Sequence, residues 1–288
     1  MAGAAFGFST EVWIWDSSSG ELLPCWEGHH AGIWSLAWSA DSTRLAGWSV
    51  GWEVRVWDGS NGKLLYEVEG HREGLKLSVA WSPDGRQLAT GQTDGIVRVW
   101  DGHSGQLVHK LEGDQSHAWS VDWSPDGTRL AAGTTSGTAR IWDGSSGKLY
   151  HVLEGRTNWV RSIAWSPDGT QLATSSLDRT VRLWDRNSGM LLYTLEGYTE
   201  GRNHLLAWSA DGMWLAASAY KGDRGEVYIW HTPNWELRAT FPMSGLIHGK
   251  PFAWHPDQPL LIAPGPVRSE FSLWQLDVDN ARPPGEHA

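Results

Sequence analysis

The chain has 288 residues, 40% of them hydrophobic, with 33 acidic against 23 basic side chains and a formal charge of -10. That balance argues against a general electrostatic grip on nucleic acid or an anionic membrane, which needs clustered Lys and Arg. One cysteine, Cys25, excludes an internal disulfide and fits a reducing compartment.

The first ten residues, MAGAAFGFST, lack the charged start and apolar stretch of a secretion signal. No later run approaches the roughly 18 apolar residues of a membrane span, so a cytoplasmic location without membrane contact is expected. The chain is tryptophan-rich, with 22 residues of that type, and their spacing accounts for most of them.

Taken in order, the chain opens on AAFGFS and reaches VWIWD at 12–16, then repeats that segment as VRVWD at 54–58, VRVWD at 97–101, ARIWD at 139–143, VRLWD at 181–185, VYIWH at 227–231 and FSLWQ at 271–275. Successive copies are offset by 42, 43, 42, 42, 46 and 44 residues, the period of four-stranded propeller blades. Between copies the same short β signals recur. After Asp58 come GSNG, KLLYEVEG, GLKLSVAW, SPDG, RQLATGQ and TDG before the next VRVWD. Such runs, rich in Val, Leu, Thr and Trp and divided by Gly, Asp and Ser, read as strands joined by tight hairpins. In Ser82-Pro83-Asp84-Gly85 the proline presets φ for a type I turn and the glycine accepts a positive φ. SPDG returns at 124–127 and 166–169, with SADS at 39–42, SADG at 209–212 and HPDQ at 255–258 as looser copies. A four-stranded unit cannot bury both faces alone, so the units must stack.

On the terminal Trp-Asp pairs, the Glu-Gly-His segments at 27–29 and 69–71 and the SPDG turns, the chain resembles the WD-repeat β-propeller family over residues 3 to about 276. The resemblance implies an all-β fold, a β-propeller of four-stranded antiparallel blades. It makes residues 1–276 a single propeller and 277–288 a polar tail. It also implies that Trp38, Trp81, Trp123, Trp165, Trp208 and Trp254 close inner strands, while the third-strand tryptophans wedge between blades, where aromatic burial is sufficient reason for them. Trp48 and Trp214 are expected in the core of second strands. Trp52 is expected in a turn, and Trp26 and Trp235 on outer strands with room for a side-surface contact.

Two departures from the family pattern stand out. Family blades often link a His at the head of the blade, a second-strand Ser or Thr, a turn Asp and the third-strand Trp. Here the head position reads His29, His71, Asp114, Arg156 and Tyr198, and the turn Asp is clear only at Asp94 and Asp178. Incomplete networks are therefore expected, with stability coming mainly from tryptophan packing. The second departure is closure. The chain starts in the second strand of its first blade and ends with three strands of the last, with LDVDNARPPGEHA after Gln275 able to add one short strand. Seven blades with an incomplete first and last blade is the favoured reading, and six is the alternative. An open seam would invite strand pairing or dimerisation.

No catalytic motif emerges. The twelve histidines match no zinc spacing, and neither a GxSxG elbow nor a GxxxxGK[ST] loop occurs, so no cofactor, metal or catalytic residue is expected. The family resemblance instead implies three binding positions per blade on the top face. The first two fall on Gly32 and Trp34, Leu75 and Leu77, His117 and Trp119, Trp159 and Arg161, Arg202 and His204, and His248 and Lys250. The third falls on Phe8, Val50, Thr93, Thr135, Leu177, Asp223 and Val267. An aromatic and aliphatic part (Trp34, Trp119, Trp159, Leu75, Leu77, Phe8, Val50, Leu177) thus precedes a basic part (Arg161, Arg202, His204, His248, Lys250). Exposed aromatics beside arginine are the composition of protein-binding hot spots. The leading expectation is a non-catalytic scaffold that binds a protein or peptide with an apolar anchor followed by acidic residues. The alternative is a ligand-binding or enzymatic propeller whose tryptophans cage a sugar or a cation.

Overall fold

The computed structural model describes residues 12, 14, 21–23, 25–26, 33–49, 53–68, 76–195, 205–221, 224–244, 253–254, 260–264, 271–276 and 281–282. Among them there is no helix. Twenty-four strands form six four-stranded antiparallel sheets, each built from four consecutive strands in chain order. The first five sheets are β1(Ile33–Trp38) to β4(Leu64–Val68), β5(Lys76–Trp81) to β8(Leu107–Leu111), β9(Ala118–Trp123) to β12(Leu149–Leu153), β13(Val160–Trp165) to β16(Leu191–Leu195) and β17(Leu206–Trp208) to β20(Glu236–Ser244). The last, β21(Ala253–Trp254) to β24(Ala281–Arg282), ends on a two-residue strand paired with Gln275 and Leu276. Ahead of β1, Val12 exchanges backbone bonds with Trp26, and Ile14 O accepts from Leu23 N.

The chain divides into two compact units, residues 1–136 with 140–151, and residues 137–139 with 152–288. In the first, Val54, Val56, Trp57, Leu88, Val97, Val99 and Trp100 are buried. In the second, Leu172, Val181, Leu183, Trp184, Leu215 and Trp230 are. Both cores therefore draw on the second and third strands of the first five sheets, whose hydrophobic runs are buried on both faces, while the fourth strands β4, β8, β12 and β16 expose most of their residues.

Adjacent sheets within a unit are joined at their innermost strands. The indole N–H of Trp81 donates to Ala37 O at 3.0 Å in the first unit. Trp208 does so to Ala164 O at 3.2 Å, and Trp254 to Ala207 O at 2.9 Å, in the second. Backbone N–H groups of Val121 and Leu206 donate to Ser78 Oγ and Ser162 Oγ of the preceding inner strand. Outer strands reach forward too. Tyr66 OH donates to Gly102 O at 2.7 Å, and burial pushes its phenol up to about 12. Trp26 and Trp235, both half-buried, follow the same logic. Trp26 packs edge-on against Trp38, with ring centroids 6.2 Å apart. Trp235 sits at φ 55° in the turn before β20, between Tyr193 and Trp208. Trp48 and Trp214 are buried, as the strand pattern requires.

Each half of the Trp-Asp pair has its own task. The tryptophan fills the core, and the aspartate closes the following turn: the Oδ1 atoms of Asp58, Asp101, Asp143 and Asp185 accept backbone N–H groups from Ser60, Ser104, Ser146 and Ser188 at 2.8, 2.8, 2.9 and 2.8 Å. The SPDG turns work likewise. Gly85 N donates to Ser82 O at 2.9 Å, Ser82 Oγ donates to Asp84 Oδ1 at 2.6 Å, and Gly85 sits at φ 68°. In the looser SADS copy Ser42 takes that left-handed conformation itself, at φ 58°.

At the blade heads one network is completed by a substitute residue, while another lacks a member, as the sequence pattern suggested. In β13–β16, Arg156 stands in for histidine and its buried guanidinium donates to Asp178 Oδ1 at 3.2 Å and to Thr174 Oγ1, which also accepts the Trp184 indole N–H at 2.8 Å. One guanidinium has enough donors to bond both groups and Thr180 O besides. In β5–β8 Trp100 donates to Thr90 Oγ1 at 3.0 Å, and Asp94 pairs with Arg98 at 2.8 Å. In β9–β12 Ala132 replaces the threonine, and the acidic head Asp114 accepts from Ser136 Oγ at 2.7 Å and pairs with Arg140 at 3.4 Å. His29, His71 and Tyr198 lie outside the described residues.

Arg156→Ala should lower unfolding stability by about 2–3 kcal/mol in urea titrations, because it removes a buried charged donor shared by Asp178, Thr174 and Thr180 and leaves Asp178 only Arg182 and Thr180. Thr90→Val, losing one neutral bond, should cost only about 1 kcal/mol. The turn aspartates set the acid limit. Hydrogen bonds from Ser39 and Thr43 hold Asp41 at about 2, and serine donors likewise lower Asp58 and Asp101. Folded values below the unfolded value of about 3.9 mean that this stabilisation is full above that pH and is lost as pH falls through the folded values. Melting temperature should therefore be nearly flat from about pH 7 to 5 and fall from about pH 4 to 2, and Asp41→Asn should flatten part of that fall.

Candidate partner-binding surface

In the second unit, the turn between β14(Gln171–Ser176) and β15(Val181–Asp185) folds back on the start of β13. Leu177 N donates to Trp159 O at 3.0 Å, Ser176 Oγ donates to Asn158 O at 2.9 Å, and Asn158 Oδ1 accepts the Trp159 N–H at 2.9 Å. These bonds hold Trp159 with 40% of its surface exposed, and the Arg161 guanidinium lies 5.8 Å from the centre of its ring. Arg161 and Leu177 are half-buried. Three of the residues expected to bind a partner are thus one contiguous group. An indole, an aliphatic side chain and a guanidinium together offer an apolar contact and a bidentate donor for carboxylate.

In the first unit the same relation joins β9 to the turn after β10(Arg129–Thr134). Thr135 N donates to His117 O, and His117 N donates to Thr135 Oγ1, both at 3.0 Å. His117 is exposed and Trp119, two residues on, is half-buried. Trp34 and Leu77 lie in β1 and β5, with side chains outside the described set, and Phe8, Val50, Leu75, Arg202, His204, His248 and Lys250 lie outside the described residues.

The sequence reading missed the arginines. The second position of four Trp-Asp segments holds Arg55, Arg98, Arg140 and Arg182, each largely buried and within 4 Å of an acid: Glu67, Asp94, Asp114 and Asp178. Their recurrence at one position of VRVWD, VRVWD, ARIWD and VRLWD was the available signal. They brace the turns beside the candidate surface. Asp114 shows the effect: burial works to raise its pKa, but hydrogen bonds from Ser116 and Ser136 with the Arg140 charge hold it well below the usual carboxylate range.

No group of three or more His, Cys, Asp or Glu able to hold a metal occurs among the described residues, and no helix there is long and apolar enough to cross a membrane. By class this is an all-β protein of propeller type, with four-stranded antiparallel blades repeated along the chain. The family profile for the WD domain, G-beta repeat, matches residues 20–58, 62–101, 105–143 and 147–185, more than half of the sequence, and the chain belongs to that WD40-repeat family. No curated protein matches the chain as a relative.

Trp159→Ala should change unfolding stability by about 1 kcal/mol or less, as for a surface position, whereas Trp184→Ala should cost about 3–5 kcal/mol. Urea titration of the two variants separates a side chain kept for contact from one kept for packing.

Proposed function

We propose that the chain is a non-catalytic scaffold that binds a protein or peptide segment through the start of β13 and the turn after β14, with Trp159, Leu177 and Arg161 as contacts. The observation that carries this reading is the exposure of Trp159 on a strand pair whose backbone is fully braced. A large aromatic held rigidly at the surface loses little entropy on binding and supplies apolar area, which is why such residues dominate interface energetics. Membership of a repeat family whose domains typically mediate protein–protein interaction points the same way. His117 and Trp119 at the matching end of β9 are proposed as further contacts.

The partner segment carries an apolar anchor followed by acidic residues. Arg161 supplies the donor for a carboxylate, and Arg202, His204, His248 and Lys250 are proposed to extend the basic part. The alternative of a cation cage is less favoured at Trp159, because the Arg161 guanidinium already lies near its ring.

The test is a peptide library displayed against the intact chain, with an apolar anchor followed by either Glu or Lys. Binding should require the anchor and favour Glu. Trp159→Ala should weaken it by about 2 kcal/mol, mainly through faster dissociation, and Arg161→Gln should erase the preference for Glu. A folded Trp159→Ala, Arg161→Gln, Trp119→Ala variant that keeps every ligand would overturn the assignment.

A further inference from the structure

Among the described residues, Ser42, Gln115, Arg179 and Trp235 take a left-handed backbone conformation without being glycine. Ser42 stands in the SADS turn, and Trp235 packs between Tyr193 and Trp208. Arg179 is different. It sits at φ 70° in the turn after β14, two residues beyond Leu177, and it is exposed. Three residues before the arginines of the Trp-Asp segments, Arg98, Arg140 and Arg182, the chain places Gly95, Gly137 and Arg179. The two glycines hold φ 78° and 85°. Glycine thus serves this turn at no steric cost, whereas an arginine in the same conformation brings its Cβ against its own backbone.

Asp178 does not call for a third cation, since its carboxylate already faces Arg156 at 3.2 Å and Arg182 at 3.9 Å. In the sister turns a side chain is unwelcome: a Cβ on Gly95 would stand 2.7 Å from Ser116 O, and one on Gly137 3.0 Å from Asn158 O. The turn that carries Arg179 is closed by its own backbone, because Arg179 N donates to Ser176 O at 3.1 Å and Leu177 N donates to Trp159 O at 3.0 Å. A cation is therefore held in a costly conformation on the same rigid turn as Leu177. Backbone strain of this kind collects at functional sites. Gln115, the remaining outlier, lies two residues before His117 in the other candidate contact group.

We propose that Arg179 is a specificity-determining contact for the acidic part of the partner segment, and that this segment carries at least two carboxylates after its apolar anchor. The inference rests on the reading of Trp159, Leu177 and Arg161 as a partner-binding group. It adds a second cation of a different kind. Arg161 is half-buried near the Trp159 ring and fixes one carboxylate in place, whereas the exposed Arg179 acts at the rim, where charge governs approach more than residence. The chain as a whole carries a formal charge of -10, which repels an acidic segment. A cation at the rim of the contact group offsets that repulsion where the segment must arrive.

Two measurements on the full chain test this. Without ligand, Arg179→Gly should raise the melting temperature by about 1–3 °C, because glycine relieves the left-handed strain. With ligand, the probes are the tightest anchored Glu peptide from the library and the same peptide with Gln in place of Glu. Arg179→Gly should weaken the Glu peptide about five- to tenfold, chiefly through slower association and less so at high salt, and should leave the Gln peptide within about twofold. Arg179→Lys, which keeps the charge, should retain most of the preference for Glu. Arg179→Asn, also at ease at positive φ, should lose it as the glycine variant does. A melting temperature that falls in Arg179→Gly would overturn the inference by making Arg179 a stabilising residue, and so would an unchanged affinity for the Glu peptide. If that unchanged affinity still depends on Trp159, the contact group stands without Arg179. A library that yields no ligand dependent on Trp159 overturns the contact group and Arg179 with it.

Discussion

The bond from an inner-strand indole to the backbone of the preceding blade is the constraint on which the other features depend. Trp81, which is buried, and the half-buried Trp208 and Trp254 each direct the indole N–H to an alanine carbonyl of the neighbouring inner strand. Indole suits the place because it joins extensive apolar area to a single donor, so one side chain fills the space and satisfies a carbonyl. Alanine suits the other side. Its small side chain lets the ring come close, and its carbonyl is spare because an inner strand has a partner on one edge only. Glycine after the Trp-Asp pair belongs to the same packing: a Cβ on Gly102 would stand 2.8 Å from the Trp81 ring and 2.6 Å from Gly85 O.

With that inner frame in place, hydrogen bonding at the blade heads has several solutions. Arg156 gathers Thr174, Asp178 and Thr180 around one buried cation, while the next blade back uses an acid, Asp114, with Ser136 and Arg140. Both arrangements pair their charges and brace a turn. What differs is the sign at the head of the blade, a difference tolerated because the tryptophan packing beneath does not depend on it.

The surfaces follow from the same frame. Turns after second strands are tied to the start of inner strands by backbone bonds, as Leu177 is to Trp159 and Thr135 to His117, so side chains there are displayed on a fixed support. Fourth strands face outward with one edge open in every blade, and local sequence sets what they show, as in LVHKL of β8 and LLYTL of β16. A repeat family can thus keep its core constant while varying two kinds of surface independently.

Much of this was legible in the sequence. The period of the Trp-Asp segments set the number and order of strands in the blades from Ile33 to Ser244. Their place in second strands marked Trp48 and Trp214 as core, and SPDG announced turns with a positive φ at the glycine. These are local properties, since a strand's period and a turn's dihedrals are encoded within a few residues. Long-range partners were not legible. Arg156 looked like the loss of a histidine, and only the approach of Thr174 and Asp178, 18 and 22 residues away, made it a replacement. Trp235 reads as an outer-strand residue, and only the packing of Tyr193 and Trp208 shows which rings its half-buried indole meets. Trp159, Arg161 and Leu177 could be named from a family pattern, but that they form one group was decided by the backbone bond across the turn. Sequence alone determined the repeat, its strands and its turns, because those are short-range steric and hydrophobic preferences. Tertiary structure decided which charges are paired and which aromatics stay at the surface, because both depend on neighbours that the chain brings together only when its blades stack.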